Sequence, residues 1–556
     1  MTIWPLILFI IVALIAMSSF YKRSNQERKK LAEIKALWGQ VLAKARNFKL
    51  ISAYLRIDTD SNISIETAAD IDLDNVFEYI DRTSSKPGEQ YLYKMLHQPQ
   101  YGEGHFTQLE QEITKLTANK ERREAIQLKL SKLNNGDAYY LPELFAKPHQ
   151  SLFHPLVELY IKTAFLFVIA LITLLVVATN QIWLFLLLGV LFINTGLHFQ
   201  NKNKVIVYTR SLPQLLLLYS TGKWLFKEDL FTKDSPAGQS LTNIAKLKRS
   251  LNSINLQGLT ASDPTDMSYL LMEWLNMFLL IEPRNFIASI KKVNNYRSDI
   301  RTLFECVARV DVAIGIQSVR DGLPYYCKPN FTTDGGELII QDLFHPLIDD
   351  CIPNSISSNN SQGVLITGSN MSGKTTFIRA ITINTLLSQT IHTSCARVYQ
   401  APPLKIFTSI DMSDDLGGHK SYFQAEALSV LNIVKNCPVS EPVKSLVIID
   451  EIFRGTNTID RIAAAKAVLS YLIANKNFVF VSTHDLELAE LLGNEYAVYS
   501  FEEMAGDDRL VFDYKIKKGL LKNKNGIAVL QGLGYPQDII NDAYVVSRQL
   551  KEKYDL

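Results

Sequence analysis

Cysteine is scarce in this chain: five residues in 556, at 306, 327, 351, 395 and 437. The number is odd and none sits at metal-ligand spacing, which argues against a disulfide framework or a thiolate-held metal. They read as reduced cytosolic thiols. Neither sign of charge dominates, with 58 Lys and Arg against 56 Asp and Glu. Domains built to hold nucleic acid usually carry a basic stripe, and composition gives none here. Internal repeats and low-complexity linkers are missing as well. The hydrophobic fraction, 47%, is ordinary for a soluble protein, so any membrane part is an anchor and not the bulk.

Charge is absent altogether from two stretches. Trp4–Phe20 is uncharged and apolar, and Tyr21-Lys22-Arg23 and Arg28-Lys29-Lys30 follow it. A cleaved signal peptide carries its positive charge before the apolar run and a small-residue cleavage site after it. Here the order is reversed and Ala16-Met17-Ser18-Ser19 is a poor site. We therefore expect a transmembrane anchor over 1–20, with the N-terminus outside and Lys22 onward in the cytoplasm. The basic residues from Lys22 to Lys49 would then be attracted to anionic lipid. The second stretch, Thr163–Asn201, holds no Asp, Glu, Lys or Arg. Asn180-Gln181 divides it into two helices, each close to the ~17-residue minimum for a span. This predicts a transmembrane hairpin over 161–200 free of ionisable side chains; the alternative is a hairpin buried in a soluble core. Two spans return the chain to the side it left. The expected protein is thus a multi-pass protein of the cell membrane whose remaining segments face the cytoplasm.

The densest pattern lies further on. The apolar run Val364-Leu365-Ile366 leads into Gly368-Ser369-Asn370-Met371-Ser372-Gly373-Lys374-Thr375-Thr376. A strand, a glycine loop and a helix start in that order make a seat for a nucleoside triphosphate, because backbone N–H groups and the helix N-terminus both point at anions. Lys374 can reach the terminal phosphates, and the Thr375 hydroxyl can ligate Mg²⁺. Downstream, Leu446-Val447-Ile448-Ile449 ends in Asp450-Glu451, and Phe478-Val479-Phe480-Val481 ends in Ser482-Thr483-His484. Unbroken apolar runs of this length fit parallel strands buried on both faces, and ligands of such sheets sit at the strands' C-terminal edge. Asp450 would share the Mg²⁺ with Thr375. Glu451 would deprotonate the attacking water, and His484 would sense the γ-phosphate. The expected activity is hydrolysis of ATP.

Several segments together resemble the MutS family, the mismatch-repair branch of the ABC-type ATPases. They are Thr367–Lys374, Asp450-Glu451-Ile452-Phe453-Arg454-Gly455-Thr456-Asn457-Thr458, and Ile406-Phe407-Thr408-Ser409 with Asp414-Asp415-Leu416. Ser421-Tyr422-Phe423-Gln424-Ala425-Glu426 is similar to the family's signature-like loop. Phe344-His345-Pro346-Leu347 matches the start of its ATPase domain, and Gly526–Val529 through Gly534-Tyr535-Pro536 matches its C-terminal dimer segment. The resemblance spans roughly 330–550 and implies an ATP site completed across a homodimer. Asn370 would touch the phosphates of its own subunit, and Ser421 those bound by the partner. Tyr514 aligns with one base-stacking residue, whereas Cys351 and Ile352 replace the other aromatic. Phe453 stands where the family has glycine, and Lys420 where it has arginine.

The resemblance also sets the architecture. Tyr79-Ile80-Asp81-Arg82-Thr83, Lys86-Pro87-Gly88 and the apolar helix after them look like the start of the family's lever domain. The expected fold is an α/β P-loop ATPase of ABC/MutS type over 329–556, ending in dimerisation helices. An all-α lever precedes it in two parts, 21–160 and 201–328, split by the membrane hairpin. A mismatch-reading domain with its Phe-x-Glu wedge is not recognisable; Phe501-Glu502-Glu503 fits those letters but sits inside the ATPase region. Lys515, Lys517, Lys518, Lys522 and Lys524 read as a solvated hairpin more readily than a DNA contact. The inherited function is ATP-driven closure of a dimer coupled to binding of mismatched, double-stranded DNA at the membrane. The alternative is an ATP-driven switch acting on protein or lipid partners without DNA. A transporter motor fits worst, since three spans make no pathway and the Leu-Ser-Gly-Gly-Gln signature is missing.

Overall fold

The computed structural model describes the chain apart from residues 1–2, 59–62, 149–152, 179, 252–273, 334–335, 370–371, 411–421, 438–442, 506–509, 521–526, 528–529, 532–533 and 555–556. Two compact units emerge. The first takes Met1–Thr59, Asp81–Lys94 and Gln111–Ser318; the second takes Asp60–Ile80, Met95–Glu110 and Val319–Leu556. The division is not the linear one read from the sequence, because two short stretches between the anchor and the hairpin belong with the sheets. The Asp70 carboxylate accepts the Ile410 amide at 3.0 Å, and the Gln389 carbonyl accepts the Gln100 amide at 2.7 Å. Backbone groups at the end of a strand and of a helix are satisfied this way.

The first unit is helical. Ile3–Ala36 is one helix of 34 residues, and beyond its apolar part Lys35 pairs with Glu124 at 3.4 Å and Glu27 with Lys132 at 2.9 Å. Lys44 and Arg46 donate to the fully buried Asp81 at 2.6 and 3.4 Å. Those two cations therefore serve the interior and not a lipid surface, a correction to the juxtamembrane reading. Pro155–Ala178 and the start of Gln181–Lys227 form the apolar hairpin, with Asn180 capping the second helix through its side chain. Both are long and apolar enough to cross a membrane, with mean hydropathy 2.6 and 2.0, yet only 17% and 11% of these stretches is buried. Val177, Phe185 and Phe192 point outward. A hairpin wrapped in a soluble core would bury such side chains, so that alternative does not describe it. Contrary to expectation the hairpin carries ionisable side chains: Glu158 and Lys162, paired at 2.7 Å on its first helix, and the buried His198. Nearby, Tyr160 donates to Asn194 at 2.7 Å, and Asn194 donates to the Phe278 carbonyl at 2.6 Å.

The second unit contains, among the described residues, strands β1 (Asn330–Phe331), β2 (Glu337–Leu343), β3 (Asn354–Asn359), β4 (Gly363–Thr367), β5 (Val398–Ala401), β6 (Leu404–Ser409), β7 (Lys444–Asp450), β8 (Phe478–Ser482), β9 (Tyr496–Ala505) and β10 (Leu510–Lys518). Six form a sheet in the order β10-β9-β4-β8-β7-β6, parallel except at the antiparallel β10 edge. β1-β5-β2-β3 form a smaller sheet. β4 and β8 are buried at every position, as their unbroken apolar runs require. Ile366 and Phe480 pack on one face with Ile378, while Leu365 and Val481 pack on the other with Leu469. Phe501 lies in the first of these clusters, 5.7 Å from Phe377, so it is core and no wedge. The helix Lys374–Ile391 is buried almost all round despite its polar residues. Several of these bond to backbone groups: Gln389, for example, donates to the Leu404 carbonyl at 2.8 Å and accepts the Leu404 amide at 2.6 Å.

Candidate active site

β4 ends at the edge of the sheet where the chain must turn sharply into a helix. Gly368 (φ 149°) sits where a Cβ would lie 2.8 Å from Ser372 Oγ and 2.9 Å from the Phe501 carbonyl. Gly373 (φ 102°) immediately precedes the helix. Both positions need glycine, one for space and both for backbone freedom. Asn370 and Met371 lie outside the described residues. Lys374 Nζ donates to the carbonyls of Gly368 and Ser369 at 2.8 and 2.7 Å, so the ammonium sits inside its own loop. Thr375 Oγ1 donates to Asp450 Oδ2 at 2.7 Å, and Ser482 Oγ donates to Asp450 Oδ1. The register that pairs Asp450 with Ser482 across β7 and β8 brings the last two together.

Glu451 leaves the end of β7 in the left-handed region, φ 54°, its amide held by the Ser482 carbonyl at 2.8 Å. One carboxylate oxygen faces His484 Nδ1 at 3.2 Å, and the other accepts from Arg454 Nε at 2.8 Å. Burial pushes this carboxyl up, but the His484 hydrogen bond and the charges of His484, Arg454 and Lys374 outweigh it and hold it below the usual range. The Glu451 hydrogen bond in turn raises the His484 imidazole against the effect of burial. Glu451 is thus an ionised carboxylate braced on two sides.

Lys374, Thr375, Asp450, Glu451 and Arg454 line one cleft of about 770 Å³, within the size range of small-ligand sites. Thr376 lines it as well, together with Ile348, Cys351, Ile352 and Tyr514. Burial, aided by Arg379, lowers the His345 imidazole in its wall to about 4, so it is neutral there. Tyr514 has φ 49°, and its ring stands 3.2 Å from where a Cβ on Gly373 would be. Asn354 fixes that conformation, donating to the Tyr514 carbonyl at 2.9 Å and accepting the Ile516 amide at 2.9 Å. A hydroxyl and a carboxylate beside a lysine at a helix N-terminus are the oxygen donors a hard divalent cation and a phosphate chain need, so the residues fit magnesium and nucleotide.

Among the described residues, Thr375 meets Asp450, His484 meets Glu451, and Lys374 lines the same cleft as both carboxylates. Ser421 lies outside the described residues; the helix Tyr422–Asn436 begins just after it. Sequence reasoning passed over Ser482, Arg454, Asn354 and Glu426. Arg454 and Glu426 stood inside quoted motifs without a role. Ser482 ended a strand opposite Asp450, and only strand register reveals it.

A buried parallel strand, a glycine loop, a helix and a second parallel strand of the same sheet ending in Asp450 define an ATPase-type α/β domain of the P-loop class. Residues 364–551 match the family model described as MutS domain V. The chain is similar to the DNA mismatch repair protein MutS of Clostridium perfringens, 33% identical over 282 residues covering 48% of this chain and 30% of that protein. The proteins of the same name from Clostridium tetani and Clostridium botulinum are each 34% identical, over 244 and 242 residues; both alignments cover 41% of this chain, and they cover 27% and 25% of those proteins. The chain thus spans less than a third of the curated relatives it matches.

Proposed function

We propose that this chain binds ATP with magnesium and hydrolyses it, working as a homodimer anchored in the cell membrane with its ATPase domain in the cytoplasm. The observation that carries the reading is the 2.7 Å pairing of Thr375 with Asp450 in the cleft that also holds Lys374 and Glu451. Thr375 and Asp450 would hold the ion, which supplies charge neutralisation at phosphate oxygens. Lys374 exchanges the Gly368 and Ser369 carbonyls for phosphate oxygens. Glu451 accepts the proton of the attacking water, and His484 and Arg454 keep that carboxylate oriented and ionised. Tyr514 offers a face to the base. Ser421 of a second copy would complete the phosphate contacts. Turnover by the purified full chain, lost in Lys374→Ala, tests this; hydrolysis that survives the substitution contradicts it.

Membrane anchoring is supported by the exposed apolar hairpin and by the uncharged N-terminal run. The relatives' name suggests an output on mismatched DNA, and that is the reading we carry first. One observation favours the alternative, a switch acting on protein or lipid partners. Lys517 is tied to Glu502 and Asp513 at 3.0 and 2.8 Å, and Lys515 donates to the Pro353 carbonyl, which depletes the basic cluster; Lys522 and Lys524 lie outside the described residues. A salt titration separates the two. Binding of mismatched duplex that weakens as salt rises supports DNA, and its absence even at low salt selects the switch.

A further inference from the structure

The turn that follows β7 holds two non-glycine residues in the left-handed region, Glu451 at φ 54° and Phe453 at φ 61°. A bulky side chain there persists only where its surroundings over-determine the backbone. The determining group is Glu426, on the helix Tyr422–Asn436 and 3% exposed. Its Oε1 accepts the amide of Phe453 and, at 3.3 Å, that of Arg454. One turn earlier on the same helix, the Phe423 ring meets that of Phe453 edge to face at 6.1 Å. Gly455 passes so close that a Cβ on it would stand 2.7 Å from the Phe423 Cβ. One helix thus grips three consecutive residues, 453 to 455. The gripped segment carries Arg454, whose Nε is 2.8 Å from Glu451. Glu426 itself does not line the cleft.

We propose that Glu426 is a positioning residue for hydrolysis: by holding the amides of Phe453 and Arg454 it fixes the left-handed turn that aims the Glu451 carboxylate and its Arg454 brace. This rests on Glu451 being the group that activates water. What the geometry assigns to Glu426 is the Oε1 acceptor shared by the two amides. A glutamine can present an acceptor oxygen at the same place.

The test is steady-state hydrolysis by the detergent-solubilised full chain, with MgATP affinity and melting temperature measured beside it. Glu426→Ala is expected to lower kcat about tenfold or more while KM and MgATP affinity stay within about threefold, because only the reacting geometry is lost. Glu426→Gln is expected to stay within about threefold of the parent. Adding Phe453→Gly to Glu426→Ala should recover part of the kcat, since glycine adopts the left-handed turn without the pin. A purely structural role predicts something else: affinity and melting temperature fall in step with kcat, and Phe453→Gly deepens the loss. That result overturns the inference, as does unchanged kcat in Glu426→Ala. Should Glu426→Ala fail to fold, Phe423→Ala is expected to lower kcat at constant KM, and unchanged kcat there is contradictory. A parent chain that hydrolyses nothing would overturn the ATPase reading and this inference with it; a parent that turns over while Glu426→Ala matches it overturns the inference alone.

Discussion

Under the proposed function, replacing Lys374 and replacing Glu451 should separate binding from chemistry. Lys374 has two carbonyl acceptors within its own loop. Its replacement by alanine removes a charge-assisted phosphate contact worth about 1.5–3 kcal/mol, so MgATP affinity should fall roughly 10- to 100-fold in a fluorescent-nucleotide titration. Glu451→Gln keeps the shape but accepts no proton; MgATP should bind while single-turnover hydrolysis slows about 10²- to 10⁴-fold. Undiminished hydrolysis in that variant contradicts the role given to the carboxylate. A third titratable residue acts on stability. Asp311 is buried and accepts the amides of Ser84 and Ser85 at 2.9 and 2.8 Å; burial lifts its carboxyl to about 6 against those hydrogen bonds. Between about pH 4 and 6 the folded chain keeps a proton the unfolded chain has released, so this contribution is complete below the window and lost as pH rises through 6. The stability advantage of the parent over Asp311→Asn should therefore shrink across the window, by at most about 1.4 kcal/mol per pH unit, and then level off. Thermal melts of the two chains measure it, and a constant difference contradicts it.

Among the elements, β10 does the least expected work. Its register against β9 shifts between Phe512 and Ile516, and that irregularity turns Tyr514 toward the loop at Gly373. Tyr514→Ala should weaken ATP binding by about 1–3 kcal/mol, the worth of an aromatic face against a base, while leaving inorganic tripolyphosphate unaffected. Equal losses for both ligands in a competition titration would place the ring elsewhere. β4, β7 and β8 were legible because each is an unbroken apolar run ending in a chemically distinct residue, and the hairpin because its charges are missing. What escaped depends on partners far apart in sequence. Asn354 holds Tyr514 from 160 residues away, and Asp311 receives Ser84 from a distance of 227. The Asp81-Arg82-Thr83 and Pro87-Gly88 pattern was visible, but its cause was not: a Cβ on Gly88 would lie 2.3 Å from the Asp311 carboxylate. Neither periodicity nor local motif records such pairs.

For the molecule as a whole, the apolar hairpin and the nucleotide cleft make separate demands. About forty uncharged residues exposed along two helices are costly in water and stable in lipid, so the chain should sediment with membranes, resist an alkaline carbonate wash and dissolve in detergent. Release by carbonate would instead point to a protein partner covering the hairpin. The cleft makes the other demand: in the proposed reading Lys374 and Glu451 serve one face of a bound triphosphate and a second copy the other. The most direct measurement is the mass of the detergent-solubilised Glu451→Gln chain by light scattering, with and without MgATP, alongside the nucleotide bound. A doubling of protein mass with one ATP retained per chain is the predicted result. A chain that retains no nucleotide, or retains it and stays single, would contradict a site completed across a dimer.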